Sequence, residues 1–113
     1  MTTCLAIALF GDEVSPRFCF ADSALVVSYA KGREVRRQVV SLGDPWLVRR
    51  VFQLATMGVR TLVCGAFNRA YLPSAEHLGI RVVTGISGSA EEAVSRFRRG
   101  ELAMSRPCRR RRG

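Results

Sequence analysis

The chain predicts an α/β domain of three layers (α/β/α), a five-stranded mixed sheet with helices on both faces. The strand order it implies is third, second, first, fourth, fifth. Three observations carry this. Cys4–Phe10 is continuously apolar, as a central strand buried on both faces has to be. Two more strand-like runs follow with no helix between them, so the sheet begins as an antiparallel meander. After those runs helical and strand spacing alternate, which calls for parallel strands joined by right-handed crossovers.

Gly11 ends the first strand. Asp12–Asp22 reads as a loop, with Pro16 in its middle and Phe18 and Phe20 flanking Cys19. Ala24–Ala30 is the second strand, and Lys31-Gly32 is a tight turn of the hairpin type. Val35–Leu42 is the third strand, whose arginines suit an exposed edge. Asp44-Pro45 starts the first helix, an N-cap followed by proline in the first turn. That helix runs to about Met57, with Leu47, Val48, Val51, Phe52 and Ala55 inward and Arg49, Arg50 and Gln53 outward. Gly58 stops it. Thr61–Cys64 is the fourth strand. Helical spacing resumes from Asn68 to Leu78 with Ala70, Tyr71, Ala75 and Leu78 inward, and Pro73 kinks this helix or marks a late start. Ile80–Val83 is the last strand, and 85–88 is its glycine-rich exit loop. Ser89 with Glu92 is a capping box. It opens a helix that buries Ala90, Ala93, Val94 and Phe97 and stops at Gly100.

At 113 residues there is one core and no room for a second. Hydrophobic content of 48% and charged content of 24% are ordinary for a globular protein, but a net charge of +9 is not. Five arginines fall in the last eight residues, and removing them from +9 leaves +4. The body is thus only mildly basic. The expected division is an α/β domain over 1–103 and a basic, disordered arginine-rich tail over 104–113. No stretch approaches the roughly 20 apolar residues a membrane span requires. Cys4–Phe10 also lacks the basic flank of a signal or transit peptide. The expected compartment is the cytoplasm, where thiols stay reduced. Cysteines at 4, 19, 64 and 108 form no Cys-x-x-Cys pair and one histidine accompanies them, which argues against structural zinc.

The chemistry gathers around Thr61-Leu62-Val63-Cys64-Gly65-Ala66-Phe67. Cys64 stands at a strand's carboxyl end and near a helix start. Ligands of open α/β sheets collect outside those ends, and a helix amino terminus lowers a thiol's pKa and favours anions. Gly65 leaves room for something to approach the thiol. The plainer account of Cys64 is a small buried core residue. Because the first and fourth strands are expected to be neighbours, the Cys19 loop and the 85–88 loop open at the same edge.

Five stretches between residues 4 and 102 carry a likeness to a known family. They are the opening apolar strand, Val14-Ser15-Pro16-Arg17-Phe18-Cys19-Phe20-Ala21, Val63-Cys64-Gly65-Ala66, Leu78-Gly79-Ile80-Arg81-Val82, and Glu91-Glu92-Ala93-Val94 with Arg99-Gly100-Glu101-Leu102. In this order the chain resembles the dinitrogenase iron–molybdenum cofactor biosynthesis family, of the NifX and NifB C-terminal-domain type, with its small orange-protein-like relatives. The resemblance implies a ribonuclease-H-like fold and a nitrogen fixation-related role. It implies holding or carrying an oxyanion- or sulfide-derived metal cluster, of molybdenum–iron or, as in the orange protein of sulfate reducers, molybdenum–copper type. Cofactor-assembly or acceptor proteins would be its partners, and a monomer or homodimer its working form. Many members have His-Phe-Gly where this chain has Arg17-Phe18-Cys19, so a histidine ligand is missing and a thiol stands two residues later. Some relatives carry a cysteine and a basic run beyond the last helix, as in Pro107-Cys108-Arg109-Arg110-Arg111-Arg112. The metal ligands implied are Cys19, Cys64 and Cys108, with Arg17, Phe18, Gly65, Ala66, Gly85 and Gly88 lining the cluster site.

Soft thiolates suit molybdenum–sulfur, iron–sulfur and copper(I) centres, whose clusters are usually anionic, so cations and inward backbone amides belong beside them. Cys4 lies toward the far end of its strand and reads as core. His77, near a helix end, reads as surface. Arg69 could contact an anion, though a solvated helix face accounts for it better. Enzyme readings fail. The Cys-x5-Arg arrangement of a thiol phosphatase puts arginine where this chain has Ala70, with Arg69 one short. Two-metal nucleases need converging carboxylates, and only Asp12, Glu13 and Asp22 lie near the edge. Cysteine–histidine catalysis would need His77 at an edge it does not reach. The expected function is non-enzymatic and is the one the resemblance implies: binding or carrying a metal–sulfur cluster or its precursor, for cofactor assembly or storage. The alternative is a cluster-free module that binds nucleic acid or an acidic partner through Arg109–Arg112, with strong salt dependence. That tail has no aromatics for base stacking.

Overall fold

Strand β1, Thr2–Phe10, is the one on which the sheet is assembled. The computed structural model describes residues 2–43 and 46–100. β1 runs antiparallel to β3 (Ser23–Ala30), from Thr2 opposite Ala30 to Leu9 opposite Ser23. On its other side it runs parallel to β5 (Thr61–Val63), with Leu5 opposite Thr61 and Ile7 opposite Val63. β4 (Arg33–Ser41) and β6 (Arg81–Val83) close the two edges, so the path across the sheet is β4-β3-β1-β5-β6.

The sheet has six strands where the sequence predicts five. Glu13–Val14, read as loop, forms a short β2 that folds back antiparallel on Leu9 and Phe10. Gly11 makes this reversal possible by taking φ +66, which a side chain would resist. Val14 is then buried on the sheet's second face. A two-residue segment carries too little periodicity to be read as a strand.

Side chains alternate across β1, and both faces are covered. Ala6 and Ala8 pack with Val26, Leu54, Leu62 and Ala75 beneath α1 (Leu47–Thr56) and α2 (Leu72–His77). Leu5 and Ile7 pack with Val27, Val63, Ala93 and Val94 beneath α3 (Ala90–Arg98). Each fully buried Leu or Ile stabilises the fold by roughly 1.5–3 kcal/mol relative to exposure. β4 is exposed along most of its length, and its arginines discourage edge-to-edge pairing. Arg37 pairs there with Glu34 at 2.8 Å and also with Glu91 of α3.

The helices correct two readings. In α1 the buried residues are Arg50, Val51 and Leu54, while Val48 and Phe52 are exposed. The helix is therefore rotated from the expected stripe. A buried guanidinium is tolerated because backbone carbonyls receive it, as described below. Asp44 and Pro45, the expected start, lie outside the described residues. The helical stretch expected from Asn68 opens as a 3-10 turn, Arg69–Tyr71, and the six-residue α2 follows, which is the late start that Pro73 allowed. Pro73 sits in the first turn of α2, where its missing N–H costs nothing. Asn68 caps the 3-10 turn, its Oδ1 accepting from the Ala70 N–H at 3.0 Å. Ala70 is exposed, Ala75 is buried as expected, and Phe67, just before the turn, is buried as well. α3 buries Ala90, Ala93 and Val94 as expected, and the Ser89 hydroxyl oxygen accepts from the Glu92 N–H at 3.0 Å.

Candidate functional site: a thiol and a guanidinium at the carboxyl rim

The loop after β2 is pinned from several sides. The Ser15 N–H donates to the Ala8 carbonyl at 2.8 Å, and the Ser15 hydroxyl donates to the Arg17 carbonyl at 2.7 Å. The Phe18 N–H donates to the Ala66 carbonyl at 2.9 Å. From α1, Arg50 Nη1 donates to the carbonyls of Phe18 at 3.0 Å and Ala21 at 2.7 Å. Phe18 is wholly buried, its ring 5.5 Å from that of Phe67 and 6.0 Å from the Arg50 guanidinium carbon. It anchors a 3-10 turn, Phe18–Phe20, that leaves Cys19 and Phe20 exposed. The Arg17 guanidinium carbon lies 5.8 Å from the Phe20 ring centroid. A buried aromatic anchor thus presents an exposed thiol beside a cation.

Cys64 follows the last residue of β5. Its N–H donates to the Val83 carbonyl at 3.0 Å, and its carbonyl accepts from the Ile86 N–H at 3.3 Å. The thiol is fully buried, and burial pushes it up to about 12. The sequence predicts a lowered value, and the structure corrects this. No α-helix starts beside Cys64, since α2 begins only at Leu72, so desolvation acts with nothing to oppose it.

Gly65 is also put to a different use. A Cβ there would collide with the Pro16 carbonyl oxygen and sit 2.8 Å from the Pro16 carbonyl carbon and Cα. The space expected for a ligand is occupied by the chain's own rim loop. The Gly65 N–H donates to the Ser15 carbonyl at 2.9 Å, and its carbonyl accepts from the Gly85 N–H at 2.7 Å. Gly65 therefore joins the three rim loops. The 85–88 loop is tied in further by the Val14 N–H donating to the Gly88 carbonyl at 2.9 Å.

Arg17, Cys19, Ala66, Phe67 and Asn68 line a cleft of about 210 Å³. Of the residues implied by the sequence, the structure brings Arg17, Cys19 and Ala66 together here. Phe18 lies beneath them in the core, and Cys64 lies buried in the same core cluster. Gly65 is half-buried against Pro16, outside the cleft lining. Gly85 and Gly88 are exposed on the neighbouring loop but do not line the cleft. Cys108 and the tail arginines lie outside the described residues. Among the described residues no three or more His, Cys, Asp or Glu side chains come together to hold a metal ion. No described helix is long and apolar enough to cross a membrane. Sequence reasoning missed Arg50 as the clamp on this loop, and Phe67 as part of the cleft wall.

Fold and rim together define a small mixed α/β domain that displays an exposed cysteine beside an arginine where the parallel strands end. No protein-family model matches the sequence, and no curated protein matches it. Among solved structures the chain is similar to the PH0822 protein, with a TM-score of 0.81 and 20% identity over 88% of this chain and 91% of that one. It is similar to the apo form of the orange protein from Desulfovibrio gigas, with a TM-score of 0.73 and 24% identity over 88% and 89% of the two chains. It is likewise similar to MJ0327 of Methanocaldococcus jannaschii, provisionally named a dinitrogenase, with a TM-score of 0.72 and 15% identity over 89% and 92%. The structural neighbours thus include proteins bearing the names to which the sequence stretches point, and the likeness is one of fold.

Proposed function

We propose that the chain binds and carries an anionic metal–sulfur cluster or its precursor, molybdenum- and/or iron-containing, as a non-enzymatic accessory in cofactor assembly or storage. The frame is a ribonuclease-H-like three-layer domain working where thiols stay reduced. One observation carries the reading: the exposed Cys19 thiol and the Arg17 guanidinium line a single cleft at the carboxyl rim. A thiolate is a soft ligand suited to molybdenum, iron or copper in sulfide surroundings. The cation beside it offsets the cluster's negative charge. Phe67 supplies an apolar wall and Asn68 a polar one. Among the described residues one thiol, Cys19, is in reach and Cys64 is shut away, and a grip of that kind suits cargo that is handed on. The open rim gives an acceptor protein access to it.

Anaerobic titration of the full chain with tetrathiomolybdate, with and without iron(II) or copper(I), tests this. The expected result is visible charge-transfer absorption and stoichiometric metal per folded chain, with most of both lost in Cys19→Ser and Arg17→Gln. A colourless, metal-free parent, or undiminished retention by Cys19→Ser, would overturn the proposal.

A further inference from the structure

Thr3, Tyr29, Lys31, Gly32, Phe97 and Arg98 line a second cleft, of about 320 Å³. Thr3 and Tyr29 are paired across β1 and β3, at the end of the sheet opposite the Cys19 rim. At the rise of a strand this is about 20 Å from the rim. Tyr29 is only 6% exposed, and its buried hydroxyl has no hydrogen-bond partner. Such orphaned groups are destabilising and uncommon in folded proteins. Phe97 packs on Tyr29 with ring centroids 5.7 Å apart, which makes one wall aromatic.

The polar side of the cleft is cationic. Lys31 (φ 54) and Gly32 (φ 78) form the left-handed β3–β4 turn, and Arg98 ends α3. Among the described residues the side chains of Lys31 and Arg98 make no hydrogen bond or close ion pair; Arg98 acts on Glu34 only at longer range, and Glu34 and Glu91 are both engaged by Arg37. Burial, with Glu34 adding to it, holds the Tyr29 hydroxyl above its ordinary pKa, so at neutral pH it is a proton donor in want of an acceptor.

We infer that this cleft binds a small organic carboxylate with an apolar body. The carboxylate takes the hydrogen bond from Tyr29 and lies between Lys31 and Arg98. The body packs against the ring of Phe97, which is half-buried near the end of α3. A purely hydrophilic anion satisfies the cations but gains nothing from the aromatic wall. The site is independent of the cluster reading and stands or falls apart from it.

Phenylacetate, titrated into the isotopically labelled full chain and followed by NMR, is the probe. Saturable shifts confined to residues 29–32 and 97–98 are expected, with dissociation constants at or below the millimolar range. Tyr29→Phe and Arg98→Gln should each weaken binding about tenfold or more, while Cys19→Ser leaves it unchanged. Tyr29→Phe keeps the ring and removes only the orphaned hydroxyl, so its Tm should equal or exceed the parent's. Absence of saturable shifts, or parent-like affinity in both Tyr29→Phe and Arg98→Gln, overturns the inference. So does inorganic phosphate binding as tightly as phenylacetate. Binding that appears only after deletion of residues 101–113 also overturns it, since the cleft would then belong to the chain's own C-terminal segment.

Discussion

Gly65→Ala is the most informative single change in the rim. The added methyl would lie 2.8 Å from the Pro16 carbonyl carbon and Cα and closer still to the carbonyl oxygen. Ordinary van der Waals contact between such atoms is about 3.5–4 Å, so the rim loop has to retreat by roughly 1 Å. It cannot do so freely, because the hydrogen bond from Gly65 to the Ser15 carbonyl and the one from Phe18 to the Ala66 carbonyl hold it in place. Overpacking of this kind costs about 1–3 kcal/mol. For a domain of this size that lowers Tm by roughly 4–20 °C. Urea and thermal unfolding measure the loss. The rate at which an electrophilic probe labels Cys19, on the same loop, reports the displacement. If Gly65→Ala unfolds within about 0.5 kcal/mol of the parent and Cys19 is labelled at the parent's rate, the interlock of Gly65 and Pro16 is not what positions the rim.

Arg50→Met should destabilise the fold by about 1–3 kcal/mol, because the Ala21 carbonyl loses its guanidinium donor and the Phe18 carbonyl keeps only the Ala21 N–H; faster hydrogen exchange in residues 18–21 would accompany it. Stability should fall as pH rises from about 9 towards 12, since the folded chain keeps the Cys64 proton that the unfolded chain loses. By pH 10 the loss amounts to roughly 1.4 kcal/mol, and the pH dependence of the urea midpoint should match that of Cys64→Ala only below that window. Cys4→Ser should cost about 1–3 kcal/mol, because Ser28 Oγ, 3.8 Å from Cys4 Sγ, is beyond hydrogen-bond reach of the shorter hydroxyl in this buried strand; a parent-like denaturation midpoint would show that the two hydroxyls move together and bond.

Much of the sheet was legible because periodicity is a direct record of burial. Cys4–Phe10 could be read as central, and Lys31-Gly32 as a hairpin turn, from pattern and turn chemistry alone. The rotation of α1 was not legible for a physical reason. Leu47, Arg50, Val51 and Leu54 follow the helical spacing of a buried face, but an arginine within it is rejected by any reading that equates charge with solvent. Val48 and Phe52, equally periodic and apolar, then took its place. The carbonyls that make Arg50's burial affordable lie 29 and 32 residues away, at Ala21 and Phe18, where local pattern cannot see them. The site divides in the same way. Cys19 and Arg17 are neighbours in the chain and stayed together, whereas the partner Gly65 accommodates, Pro16, is set by tertiary contact.

The fastening of the rim loop also bears on the order in which the molecule comes together. The β3–β4 hairpin closes through a two-residue turn, a short and early event. The Phe18 to Ala66 and Gly65 to Ser15 hydrogen bonds instead wait on the arrival of β5 beside β1, a parallel pairing across a long intervening segment. Closing that segment carries a larger entropic penalty and delays non-local pairing. The meander is thus expected to gain amide protection before the cleft does. In pulse-labelled exchange, the Phe18 amide should become protected together with that of Val63 and later than that of Val26. A partly folded chain, on this account, displays the Cys19 thiol before the walls that shelter it exist.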